Sequence, residues 1–310
     1  MPEIGKFKRS WLLLKTSLTV LSQHRKLLLF PLVTAVFMVV TVLFFTAPAV
    51  LMPTGHSILS ADHWTAVVQR SFETGPAVNW RPAPRAWLLG YLALGYLVFM
   101  FLATFANVAF VNEIFHALSG RPVSVRSGLL FAWSRVRSIL VWSLFAGIVG
   151  IVIQSLERRF GWIGKIILRV VGVVWSVASV FVIPVIVRDP ALNPVELLRR
   201  SAGTLRKTWG EALVGYVGIQ AALTLFVLGS MAVAFLAATP ALMAGKLTIA
   251  ITVIALWIVW MMALGYASSV ADQIYRAALY VYASEGVAPG PYSAEMMDMA
   301  WRIKGKVEGK

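Results

Sequence analysis

The sequence predicts an all-α, polytopic membrane helical bundle, and three observations carry that prediction. Of the 310 residues, 59% are hydrophobic and only 13% charged, with a mean hydropathy of +0.79. Soluble domains lie nearer half apolar and about a quarter charged. Several uncharged stretches reach the roughly 20 residues needed to cross a bilayer core of about 30 Å. Lys and Arg gather mainly between those stretches rather than within them. Backbone groups in lipid must be paired within their own segment, so the crossings are expected to be helices.

Six spans are expected, at 27–51, 86–111, 138–156, 166–187, 212–237 and 247–270. The first follows a mostly polar or amphipathic stretch, 5–24 being its helical part. Its apolar run is about 25 residues, against about 7–15 for the core of a signal peptide. A retained span is therefore expected, although Ala47-Pro48-Ala49 imitates a cleavage site. An external loop, 52–85, follows. Twenty of the 28 Lys and Arg residues fall in 1–26, 112–137, 188–211 and the C-terminal segment 271–310, and eight fall elsewhere. The positive-inside rule then puts both termini in the cytoplasm, with the chain in the plasma (inner) membrane of a prokaryote.

Span four ends in "FVIPVIVRDP", where Asp189-Pro190 stops the helix. Asn193-Pro194-Val195-Glu196 restarts one, with an N-cap residue, proline at the first helical position and a carboxylate at the third. Over 194–209, Val195, Leu198, Ala202, Leu205 and Trp209 step by three or four residues and share a face. Glu196, Arg199, Arg200, Arg206 and Lys207 take the other side. That pattern fits a helix in the cytoplasmic interface, its apolar face towards acyl chains or the bundle. A solvated linker helix is the plainer alternative and does not need the stripe. Arg199, Arg200, Arg206 and Lys207 become candidate contacts for anionic lipid.

Similar stripes precede spans one and three: Phe7, Trp11, Leu14, Leu18 and Leu21, then Val125, Leu129, Ala132, Val136 and Leu140 within and beyond a helix at 124–137. The chain thus reads as three units, each an interfacial amphipathic helix followed by a two-span hairpin. Gly147 with Gly150, and Gly215 with Gly218, fall at corresponding places and suit close helix packing.

The stretch "FVIPVIVRDPALNPVELLRRSAGTLRKTWGEALVG" resembles a motif in the membrane domain of glycerophosphodiester phosphodiesterases. Over nearly its full length the chain is also similar to an uncharacterised family of six-span prokaryotic membrane proteins. "RKLLLFPL", "FANVAFVNEIFHALSGRPVSVRSGL" and "SLERRFGWIGKI" carry that likeness. The resemblance implies a fold and no established activity, and the phosphodiesterase catalytic domain has no counterpart here.

Little in the sequence points to catalysis. No cysteine is present, which excludes disulfides, thiolate nucleophiles and cysteine metal sites. The net charge of +15 would suit nucleic acid in a soluble protein. Here topology and lipid account for it, and no nucleic-acid partner is expected. His56, Asp62 and His63 share the external loop, where a metal competes with a polar loop packed by Trp64 and Phe72. Near the end of span two, Asn107, Asn112, Glu113 and His116 form a candidate polar cluster or pore lining. Glu113 and His116 share a helix face, but a di-iron site needs a second Glu-x-x-His, which the chain lacks. Asn107 reads as interhelical glue or as part of a polar route. Asp272 and Arg276 are spaced to pair along one helix. No cofactor, metal or catalytic residue is expected. The sequence therefore points to a non-enzymatic, self-associating channel or transport component, with homo-oligomers and anionic lipids as partners. The alternatives are a membrane-organising or lipid-sensing scaffold and, less strongly, a headgroup enzyme using Glu113 and His116.

Overall fold

The computed structural model describes residues 6–73, 83–160, 162–189, 193–208 and 212–300. The helices among them are α1 (Lys6–Gln23), α2 (Leu29–Val50), α3 (Ala61–Ser71), α4 (Ala86–Leu118), α5 (Val125–Ser134) and α6 (Val136–Arg159). They continue as α7 (Trp162–Ala178), α8 (Val182–Arg188), α9 (Pro194–Thr208), α10 (Ala212–Met243), α11 (Leu247–Glu285) and α12 (Ala294–Ala300). A 3-10 turn, Arg25–Leu28, joins α1 to α2. Within the described residues the strands are two short ones, β1 (Phe72–Glu73) and β2 (Ala83–Pro84), paired antiparallel with Phe72 opposite Pro84. The fold is all-α, as the composition and hydropathy require.

Five described segments are long and apolar enough to cross a bilayer: Arg25–Val50, Ala86–Leu118, Val136–Glu157, Ile166–Arg188 and Leu247–Glu285. These lengths and compositions mark a membrane protein. The expected span 212–237 lies within α10, a helix of 32 residues, and the side chains of 212–226 are outside the described ones.

Two helices run past the expected span ends. Span two was expected to stop at 111 and the last at 270, yet α4 runs to Leu118 and α11 to Glu285. The 39 residues of α11 rise about 58 Å at 1.5 Å each, well beyond a bilayer core. Its tail keeps helical pairing after the apolar run, with Arg276 Nη2 2.8 Å from Asp272 Oδ2. Gly286, at φ 72°, then supplies the left-handed residue that ends it.

Span four is not continuous. The helix opens at residues 179–181 and restarts as α8. Pro184 is the cause: it has no N–H for the Val180 carbonyl, and its ring excludes that carbonyl from helical position. The Phe181 amide leaves the ladder and donates to Ser201 Oγ of α9 at 3.0 Å. Ser201 is fully buried, so the break and α9 are fastened together.

The core lies at one end of the bundle. Leu27 and Phe30 from the start of the first span meet Val108 and Ile114 from the end of α4. Ile139 and Trp142 of α6, Ile186 of α8 and Ile274 of α11 complete it. Phe30 stacks on Phe110 at 5.2 Å between centroids, and Trp142 on Trp175 at 5.9 Å. At this end Ser17 of α1 and Tyr292, after α11, share a hydrogen bond of 2.6 Å. Burial pushes the Tyr292 hydroxyl up to about 12, against the opposing effect of the Ser17 bond. It stays protonated at any physiological pH.

Away from this end the helices expose apolar side chains, among them Val40, Leu43 and Phe44 of α2, Ile167 and Val174 of α7, and Leu256 and Trp260 of α11. Lipid is the solvent that such faces fit. Close helix approach does occur on α6. A Cβ on Gly150 would sit 2.7 Å from Tyr96 Oη, and one on Gly147 2.8 Å from Leu97 Cδ2. Gly215 and Gly218 fall outside the described side chains.

In the loop between α2 and α4, α3 is capped by Ser60, whose hydroxyl accepts from the His63 amide at 3.3 Å. His63 is buried, with Nδ1 2.7 Å from Thr54 Oγ1 and Nε2 3.3 Å from the Ala49 carbonyl. Both ring nitrogens are thus committed to holding the loop. Trp64 Nε1 donates to the Ile58 carbonyl at 3.0 Å.

Candidate functional site

The polar residues at the end of α4 converge on one carboxylate. Glu113 has no exposed side-chain surface. Its Oε1 accepts from Asn112 Nδ2 at 3.1 Å and lies 3.3 Å from His116 Nδ1. Its Oε2 accepts from the backbone amide of Ser124 at 2.8 Å. Ser124 is the N-cap residue of α5, in extended conformation and without a capping bond from its own side chain. Glu113 therefore does from another helix what the glutamate of a capping box does from its own. The positive end of α5 also favours a carboxylate there.

This arrangement needs α5 to lie close. Gly128 allows it: a Cβ there would fall 2.8 Å from the Ala109 carbonyl oxygen and 2.9 Å from Glu113 Cγ. Sequence reasoning had placed Asn112, Glu113 and His116 together and had passed over Ser124 and Gly128. Their signal was present in "SGRPVSVRSG", a Gly/Pro turn followed by a capping serine and an in-helix glycine. Asn107 stands apart. It is half-buried, and six residues at about 100° each put it roughly 120° around α4 from Glu113. The structure thus brings three of the four expected residues to one point.

The second candidate region is α9. Asn193 caps it as expected, Oδ1 accepting from the Val195 amide at 2.9 Å. The buried face differs from the expected stripe. Leu197 and Ser201 are fully enclosed, Leu198 and Leu205 pack partly against the core, and Val195 is 59% exposed. The need to meet the Phe181 amide turns the helix towards Ser201. Trp209 lies outside the described residues.

The four cations expected to touch lipid separate by their partners. Arg200 is engaged: Nε bonds Glu196 Oε1 at 2.7 Å, and Nη1 bonds the Asp189 carboxylate. Next to this pairing, Arg188 Nη2 holds Glu285 Oε1 at 2.9 Å, and its guanidinium lies over the Phe115 ring at 4.7 Å. Arg199 and Arg206 are exposed, and no described carboxylate lies within ion-pair distance of either. The side chain of Lys207 is outside the described ones.

The family model described as "Family of unknown function (DUF6159)" matches residues 88–290. That stretch holds both the Glu113 cluster and α9. No curated protein matches the chain, and no solved structure does. None of these comparisons shows the expected likeness to phosphodiesterase membrane domains. Matching across well over half of the sequence, the chain belongs to DUF6159, a family of unknown function.

Proposed function

We propose that this is a non-enzymatic, multi-pass protein that organises anionic lipid at the cytoplasmic face of a prokaryotic plasma membrane. In this reading six helices cross the bilayer and both termini are cytoplasmic, as the Lys and Arg distribution asks. One observation carries it. The α9 helix is fixed to the bundle through Leu197 and Ser201, while Arg199 and Arg206 face outward without acidic partners among the described residues. Cations held at a membrane surface contribute about 1 kcal/mol each towards anionic lipid.

The channel reading needs Asn112 and Glu113 to face a route. Both are buried, and each oxygen of the Glu113 carboxylate has a partner within this one chain. That reading draws no support from the geometry. The same bonds occupy Glu113, on which the headgroup-enzyme reading also relied.

The test uses vesicles of phosphatidylcholine with and without phosphatidylglycerol, and native mass spectrometry of the protein extracted from each. Arg199→Gln with Arg206→Gln is expected to reduce retained phosphatidylglycerol by about tenfold. Unchanged retention would mean that these charges serve orientation only.

A further inference from the structure

The junction of α1 and α2 forms a site of its own. A helix cannot continue through His24, whose backbone sits at φ −120° and ψ 59°. The chain turns there into the 3-10 segment Arg25–Leu28, with the Leu27 amide donating to the His24 carbonyl at 2.9 Å. Leu27 is drawn wholly into the core, which throws Arg25 and Lys26 outward side by side. Across from them passes the turn between α4 and α5. Between the two lies an open cleft of about 340 Å³, lined by Ser22, His24, Arg25, Lys26, Pro122 and Val123 among others.

The cleft collects donors and positive charge. No described carboxylate pairs with His24, Arg25 or Lys26. Pro122 brings no amide proton, so on the opposite wall it contributes shape rather than a donor. Three basic residues in sequence repel one another when charged, and an anion between them relieves that cost. Depth narrows the choice of anion. The apolar run continuing through Val50 begins directly after these cations, which is the level of headgroups.

We propose that this cleft binds a phosphate group, supplied by the headgroup of an anionic phospholipid or as the free anion. The inference rests on the membrane-surface reading above and adds a discrete site to it.

The experiment uses the full chain with phosphatidylglycerol in nanodiscs as one probe and inorganic phosphate as the other. Three variants are compared: Arg25→Gln with Lys26→Gln, Ser22→Trp, and Arg199→Gln with Arg206→Gln. Ser22 is exposed, so its tryptophan fills the cleft without disturbing the core or the charge. The first two variants are each expected to weaken the tightest phosphatidylglycerol occupancy about tenfold or more, whereas the α9 variant lowers the further phosphatidylglycerol retained at the surface without displacing that one lipid. Displacement of that lipid by millimolar phosphate assigns a site for the free anion, and resistance to it assigns the headgroup. If the charge variant weakens binding and Ser22→Trp does not, the cations act as open surface and the cleft proposal falls. It falls also if neither matters. Loss with the α9 variant alone would retain the surface reading while removing the cleft.

Discussion

Glu113 is a carboxylate wholly buried in the packed end and held on both of its oxygens. Two side chains and one backbone amide converge on it. Removing it leaves the Ser124 amide and the Asn112 amide group facing a void. Glu113→Ala is therefore expected to cost about 3 kcal/mol or more, the scale of a broken buried pair. Glu113→Gln retains an acceptor but turns an amide donor towards one neighbour, at about 1–2 kcal/mol. Thermal melts in detergent would order the three proteins, the parent highest and Glu113→Ala lowest. A pore-lining role would appear instead as altered cation flux in proteoliposomes with an unchanged melt. The sequence showed that Asn112, Glu113 and His116 were neighbours because helical spacing is local. It could not show what they hold, because Ser124 and Gly128 reach Glu113 only through the turn between two helices.

At the scale of elements, the break between α7 and α8 and the placement of α9 are one feature. Pro184 frees the Phe181 amide, and Ser201 accepts from it. Ser201→Ala leaves that buried amide without a partner and is expected to cost about 1–3 kcal/mol. Ser201→Thr keeps a hydroxyl and is expected to lose less, although its extra methyl must find space. Hydrogen exchange offers a sharper reading than a melt, since the Phe181 amide itself should lose protection in Ser201→Ala. Retained protection would show that another group can satisfy it. The start of α9 was legible down to its cap, because Asn-Pro-x-Glu is a local signal. Its buried face was not. Hydrophobic spacing selected Val195 and Leu198, whereas a serine, polar in every hydropathy scale, sits at the centre of the contact.

For the whole molecule, the long apolar helices were readable because bilayer thickness imposes a minimum length on any helix that crosses. Their ends were not, since α4 and α11 keep turning after the apolar signal stops. Orientation remains a statement about charge and can be measured directly. The chain has no cysteine, and both Ser57 in the loop after α2 and Ser119 after α4 are exposed. Single cysteines at these two places are expected to react with an impermeant maleimide from opposite sides of sealed vesicles. Reaction from the same side would overturn the proposed topology.

The bond between Ser17 and Tyr292 joins positions 275 residues apart, whereas Glu113 and Ser124 are separated by only 11. A ribosome delivers these two closures at very different times. The short one is available as soon as α5 emerges. The long one waits until Tyr292 has been made. In order of synthesis the Glu113–Ser124 contact therefore becomes available before the Ser17–Tyr292 bond. A chain halted before Tyr292 would leave the Ser17 hydroxyl without that bond.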